Sequence, residues 1–217
     1  MKGLIKNNYY KLISSLKLWL VLIILLGIAT IVFDNKNTSL LMGFSYISII
    51  GFSTSTLVGL SKNNSGKWNK YILTLPVERA EIVKSKFVTQ AHVICVGIVF
   101  TGIVFITSIL LHGFPFYKYT DIPMLLSVSI GISLLMSSIF FPISCVDTKD
   151  RIEVISIISL LVSVGIMMGI ITALNILLEK PTDIQLTLIS AGVILFSCIC
   201  YFASYKFTSH RYLDKEF

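Results

Sequence analysis

Residues able to do chemistry are few in this chain, and their placement excludes most reactions. His92 is the one imidazole inside a long apolar run. A lone histidine at that depth is more often hydrogen-bonded across helices than catalytic. Cys95, Cys145, Cys198 and Cys200 all sit in or at the edge of apolar runs, with no histidine or carboxylate close to Cys198 and Cys200. They read as buried thiols packing as small apolar groups, not as metal ligands or a disulfide. Residues 59–67, GLSKNNSGK, superficially resemble a phosphate loop, but the glycines are wrongly spaced and Trp68 stands where Ser or Thr should follow the lysine. No zinc-protease, nucleophile-elbow or clustered-aspartate motif occurs. The chain therefore reads as neither an enzyme nor an ATP site. Any work against a gradient must draw energy from another chain.

The elements that hold these residues follow from composition. Of 217 residues, 55% are hydrophobic and 13% charged, and mean hydropathy is +0.86. A soluble domain cannot bury so much apolar surface, so the fold class is all-α: a polytopic membrane protein forming a single transmembrane domain over 1–217. Six spans are predicted at 18–33, 39–60, 87–111, 122–146, 154–178 and 184–205. None contains Asp, Glu, Lys or Arg. Ion-coupled carriers place ionisable groups at mid-membrane, so that class is disfavoured, as is intramembrane aspartyl chemistry. Before the first span, Ile5, Tyr9, Leu12, Leu16 and Trp19 recur at three- and four-residue steps, with Lys2, Lys6, Lys11 and Lys17 on other faces. Residues 1–17 are thus expected as an amphipathic interfacial helix. No small-x-small cleavage pattern closes the first apolar run, which is read as a retained span.

One polar stretch interrupts the apolar chain. Six of its eighteen Lys and Arg residues lie at 61–86, yet Trp68, Tyr71, Ile72, Leu73 and Leu75 are spaced as an apolar stripe on a short helix. Pro76 ends that helix and opens the next, whose first turn carries Glu78 and Glu81. Such a shaped elbow suits a grip from outside the bilayer. The net charge of +7 reflects orientation more than nucleic-acid binding: fifteen of the eighteen basic residues fall on one side of six alternating spans. Both termini and the elbow are then cytoplasmic. In the second span Ser45, Ser48, Gly51, Ser55 and Gly59 mark one side, with Ser53, Thr54 and Thr56 adding hydroxyls. They serve close helix packing or line a polar path.

The basic N-terminus, the six spans and the stretch Trp68, Tyr71, Leu73, Leu75, Pro76, Val77, Arg79, Ile82, Val83 and Lys86 resemble a type-2 ABC exporter permease. The compact size is similar to that of the small permeases that export peptides, including phenol-soluble modulin exporters. That resemblance implies that 61–86 is a cytoplasmic coupling elbow. Its contact residues toward a separate ABC ATP-binding subunit would be Lys67, Trp68, Lys70, Tyr71, Leu73, Leu75, Pro76 and Arg79. It also implies a second permease subunit, identical or related, in a bacterial cell membrane. ATP and Mg are bound by the partner subunit, and this chain binds no cofactor and no nucleic acid. The re-entrant hairpin that some relatives fold between the last two spans has little room at 179–183. A non-transport membrane scaffold or regulatory subunit is the alternative, though it leaves the elbow unexplained.

The charge asymmetry fixes an observable. In intact cells, an impermeant thiol label should reach a cysteine placed at Lys118 or Lys180 and fail to reach one at Lys67 or Lys215. Labelling at Lys67 from outside contradicts the orientation.

Overall fold

The computed structural model describes residues 2–33, 38–62, 79–116, 118–146, 151–178 and 182–213. They form six α-helices: α1 (Lys2–Phe33), α2 (Thr38–Lys62), α3 (Arg79–His112), α4 (Asp121–Val146), α5 (Ile152–Leu177) and α6 (Asp183–Leu213). Each is long and apolar enough to cross a membrane, and the six match the six predicted spans in order. The described residues include no strand. α1 runs unbroken through residue 18, where an interfacial helix and a first span were expected as two segments. No proline or glycine stands between Gly3 and Gly27 to break it.

Burial divides the bundle into inner and outer helices. The apolar stretches of α4 and α2 are 72% and 61% buried, against 17% for α1. α4 packs most extensively on α6, then on α5 and α2. The outward residues of α1, α5 and α6, such as Leu25, Leu161 and Phe202, stay exposed, as faces turned to lipid do. Gly131 lets the neighbours close onto α4. A Cβ there would stand 2.8 Å from Met167 Cε on α5, and 3.2 Å from both Ser197 Oγ and Val193 Cγ1 on α6.

The helix ends have local causes. Gly113, at φ +84°, takes the left-handed conformation that closes α3, and its N–H bonds the Ile109 carbonyl at 3.0 Å. Pro123 lies in the first turn of α4, where a missing N–H costs nothing. Thr182 and Gln185 open α6 with half of a capping box, Gln185 Oε1 accepting from the Thr182 N–H at 2.9 Å. At the same end of the bundle Lys118 Nζ meets Asp183 Oδ1 at 2.7 Å, joining the α3–α4 connection to α6. The hydrogen bond to Asp183 holds the lysine's pKa above its ordinary value. Both side chains are more than half exposed, so solvent screens the pair and it adds little stability.

Pro142 lies inside α4. Its missing N–H leaves the carbonyl four residues earlier, that of Ser138, without its helical donor. Ser204 of α6 fills the gap, its Oγ donating to Ser138 O at 2.6 Å. The break in one helix thus becomes a bond between two. Ser204→Ala should cost about 1–3 kcal/mol, the penalty of an unpaired buried acceptor. In Pro142→Ala the substituted residue restores the helical donor, so adding Ser204→Ala to that background should cost under ~0.5 kcal/mol, since the second donor is then redundant. Thermal unfolding of the four proteins in detergent measures this cycle, and equal losses in both backgrounds would contradict the account.

Candidate functional site

The polar groups that matter gather on one turn and a half of α3, beginning six residues after the helix starts. Ser85, Thr89 and Gln90 are buried there, Thr89 and Gln90 completely. Each hydroxyl gives its hydrogen to its own helix: Ser85 Oγ to Ile82 O at 2.8 Å, and Thr89 Oγ1 to Ser85 O at 2.7 Å. Their lone pairs remain for another helix. Asn8 of α1 uses both, its Nδ2 donating to Ser85 Oγ at 3.3 Å and Thr89 Oγ1 at 3.5 Å.

Gln90 faces the opposite way, into the junction of α2, α3 and α4. Its Nε2 donates to Ser53 Oγ of α2 at 2.7 Å and to Ser137 Oγ of α4 at 3.1 Å, with Ser53 O at 3.4 Å. Between these contacts, Tyr201 of α6 donates its hydroxyl to the Phe87 carbonyl at 2.8 Å. Its ring packs on Phe87, which also meets Phe141 at 4.3 Å between centroids. Residues 85–90 are therefore hydrogen-bonded to α1, α2, α4 and α6. We call this girdle the polar collar. Leu12 of α1 is fully buried beside Val83 and Phe87, so the N-terminal half of α1 packs against α3. His92 is exposed on the same helix, its ring 6.5 Å from that of Tyr9.

The collar holds no charged group, and among the described residues no three His, Cys, Asp or Glu are placed to hold a metal ion. Its capacity is mechanical. Directional bonds from one helix to four others let a force on α3 reach most of the bundle. One atom is short of a partner: Gln90 Oε1 is buried and accepts no hydrogen bond. Such an orphan costs about 1–3 kcal/mol.

Of the elbow residues singled out by sequence, Lys67, Trp68, Lys70, Tyr71, Leu73, Leu75 and Pro76 lie outside the described residues, and Arg79 opens α3. The small residues of α2 are placed inside the bundle, toward several neighbouring helices. A Cβ on Gly51 would lie 3.1 Å from the Trp19 ring of α1. Ser48 bonds Thr101 of α3, whose own hydrogen goes to Gly97 O. Ser45 and Ser55 bond back to Met42 O and Phe52 O, and Gly59 is half-buried. Sequence reasoning passed over Gln90, Asn8, Ser137 and Tyr201. The available signal was Gln90 itself, an amide four residues into the apolar run 87–111, which must find partners in hydrocarbon.

Fold and collar define a polytopic α-helical membrane protein whose helices are tied together through one of them. Residues 3–212 match the family described as ABC-2 family transporter protein, and the chain belongs to that family. It is accordingly a permease component of an ABC transporter, a family whose members work with an ATP-binding subunit in a membrane. No curated protein and no solved structure matches it.

The collar assigns distinct costs to its outer contacts. Tyr201→Phe should lower stability by about 1 kcal/mol, the net worth of one hydrogen bond. Asn8→Ala should speed backbone hydrogen exchange over residues 2–12 at least several-fold while leaving the exchange of α4 unchanged. Uniform acceleration across all helices would contradict the local role given to Asn8.

Proposed function

We propose that this chain is the membrane-spanning permease subunit of an ATP-driven exporter in a bacterial cell membrane, working as a pair of such chains. Both termini and the 61–86 elbow face the cytoplasm, the side that carries most of the basic residues. The separate ATP-binding subunit grips residues 67–75 and binds the ATP and Mg. One observation carries the reading: α3, whose first residues belong to the elbow, is hydrogen-bonded through Ser85, Phe87, Thr89 and Gln90 to four other helices. Closure of the ATP-binding subunits pulls the elbow, and α3 passes that pull to α2 and α4. The pathway between the two chains opens in response. Spans without charge but rich in hydroxyls suit amphipathic peptides or other hydrophobic cargo entering from the inner leaflet or cytoplasm.

The grip is expected to rest on aromatic anchors. Trp68, Tyr71 and Leu75 are spaced three and four apart, with Lys67 and Lys70 flanking them. Trp68→Ala or Tyr71→Ala should each weaken co-purification of the ATP-binding subunit by about 2 kcal/mol or more, roughly thirtyfold, while the permease still inserts and folds. Lys67→Ala, removing only a rim charge, should do much less. Full retention of the ATP-binding subunit by both aromatic variants would reassign those side chains to anchoring at the lipid interface.

A further inference from the structure

We propose that Gln90 is a positioning residue with two hydrogen-bonded states, and that exchange between them is the step by which α3 shifts against α2 and α4. The proposal rests on the reading of α3 as the transmitting helix. It starts from the asymmetry of the Gln90 amide. Nε2 has three acceptors within 3.4 Å, while Oε1, equally buried, has no donor. The observed orientation is set by the Ser53 carbonyl, which can only accept. The two serines are less committed. A hydroxyl both donates and accepts, and those of Ser53 and Ser137 now donate to the Ser133 carbonyl, at 3.5 and 2.8 Å.

A roll or slide of α3 that turns the amide over presents Oε1 to the same two hydroxyls. Each can rotate away from Ser133 O and donate to it. Ser133 O keeps the backbone N–H of its own helix, so it is not orphaned. Nε2 then gives up Ser53 O and both hydroxyl acceptors. Neither arrangement satisfies the whole amide, so neither is strongly preferred, and the helix between them has two discrete places to rest. A bistable element of this kind converts a small pull into a step, because buried polar partners are exchanged whole and not stretched. Serine is suited to both places around Gln90. Alanine would serve neither, and a charged residue would hold one of them.

The test uses the full chain in nanodiscs of phosphatidylcholine and phosphatidylglycerol, labelled with ¹⁵N at glutamine only. The chain has two glutamines, Gln90 and the exposed Gln185, so the side-chain spectrum is simple, and Gln90→Asn assigns it. Two exchanging NH₂ signal pairs from Gln90 are expected, or one pair with relaxation dispersion in the microsecond-to-millisecond range. A single pair without exchange overturns the proposal. So does a single pair with a cross-peak to water, which would mean that a buried water fills the acceptor. This arm needs no partner subunit, so its failure is separate from failure of the proposed function, which would show as a wild-type chain that retains no ATP-binding subunit. In the complex, Gln90→Met should melt at or above the wild-type temperature, having lost the orphan acceptor, yet lose at least tenfold of its permease-dependent ATP turnover. Wild-type turnover, or a loss that merely follows a lower melting temperature, contradicts the positioning role.

Discussion

The bundle is governed by the requirement that a polar group in hydrocarbon find its partner within the protein. Water is absent as a fallback, so each amide or hydroxyl placed there dictates which helix must lie beside it. In this chain the requirement converges on residues 85–90 of α3. Asn8, Ser53, Ser137 and Tyr201 come from four different helices, and each hydrogen-bonds a group on α3. The apolar contacts around them, Leu12, Phe87, Phe140 and Phe141 among them, provide area but little direction. Greasy surfaces can slide continuously. Hydrogen bonds cannot, and they give the packing a register.

The same rule explains why α4 can carry a proline inside its length. Pro142 removes one helical bond, and Ser204 supplies the missing donor from α6. An interior defect that would weaken a soluble helix becomes a specific tie between the two helices that pack most extensively. Gly131, three turns earlier on the same side, removes the bulk that would hold α5 and α6 apart from α4. α4 is thus fixed on the α5–α6 side by shape and the Ser204 bond, and on the α2–α3 side by the polar contacts of Ser133 and Ser137.

Much of this was legible in the sequence, for reasons of scale. A span of hydrocarbon demands about twenty apolar residues, and that signal survives any detail of packing. The six helices and their class followed from it, and family membership over 3–212 agrees with them. Facing was harder to read. A helix that is apolar all round has no periodicity to say which side meets which neighbour. The row Ser45, Ser48, Gly51, Ser55 and Gly59 read as one side of α2, serving close packing or a polar path. In the structure Gly51 meets Trp19 of α1, Ser48 meets Thr101 of α3, and the bridging falls to Ser53. Serines hide further because most bond back to their own helix, as Ser127, Ser129 and Ser133 do. Amides cannot hide in that way, so Asn8 and Gln90 were the residues whose chemistry announced a partner. The lysines of α1 marked an interfacial helix, and on another face of it Leu12 and Asn8 pack its first half onto α3.

In the function proposed above, α3 moves against α2 whenever the ATP-binding subunit turns over productively, and a reversible pin between the two helices probes that motion. Ser48 of α2 and Thr101 of α3 bond each other through atoms carried on Cβ, which places them for a disulfide after both are changed to cysteine in a chain freed of its native cysteines. The ATP turnover that depends on the permease would be measured with the pair oxidised and again after reduction. The account expects turnover to collapse when the disulfide forms and to return when it is reduced. Full turnover with the disulfide intact would show that α3 and α2 do not move against each other, and would contradict the account.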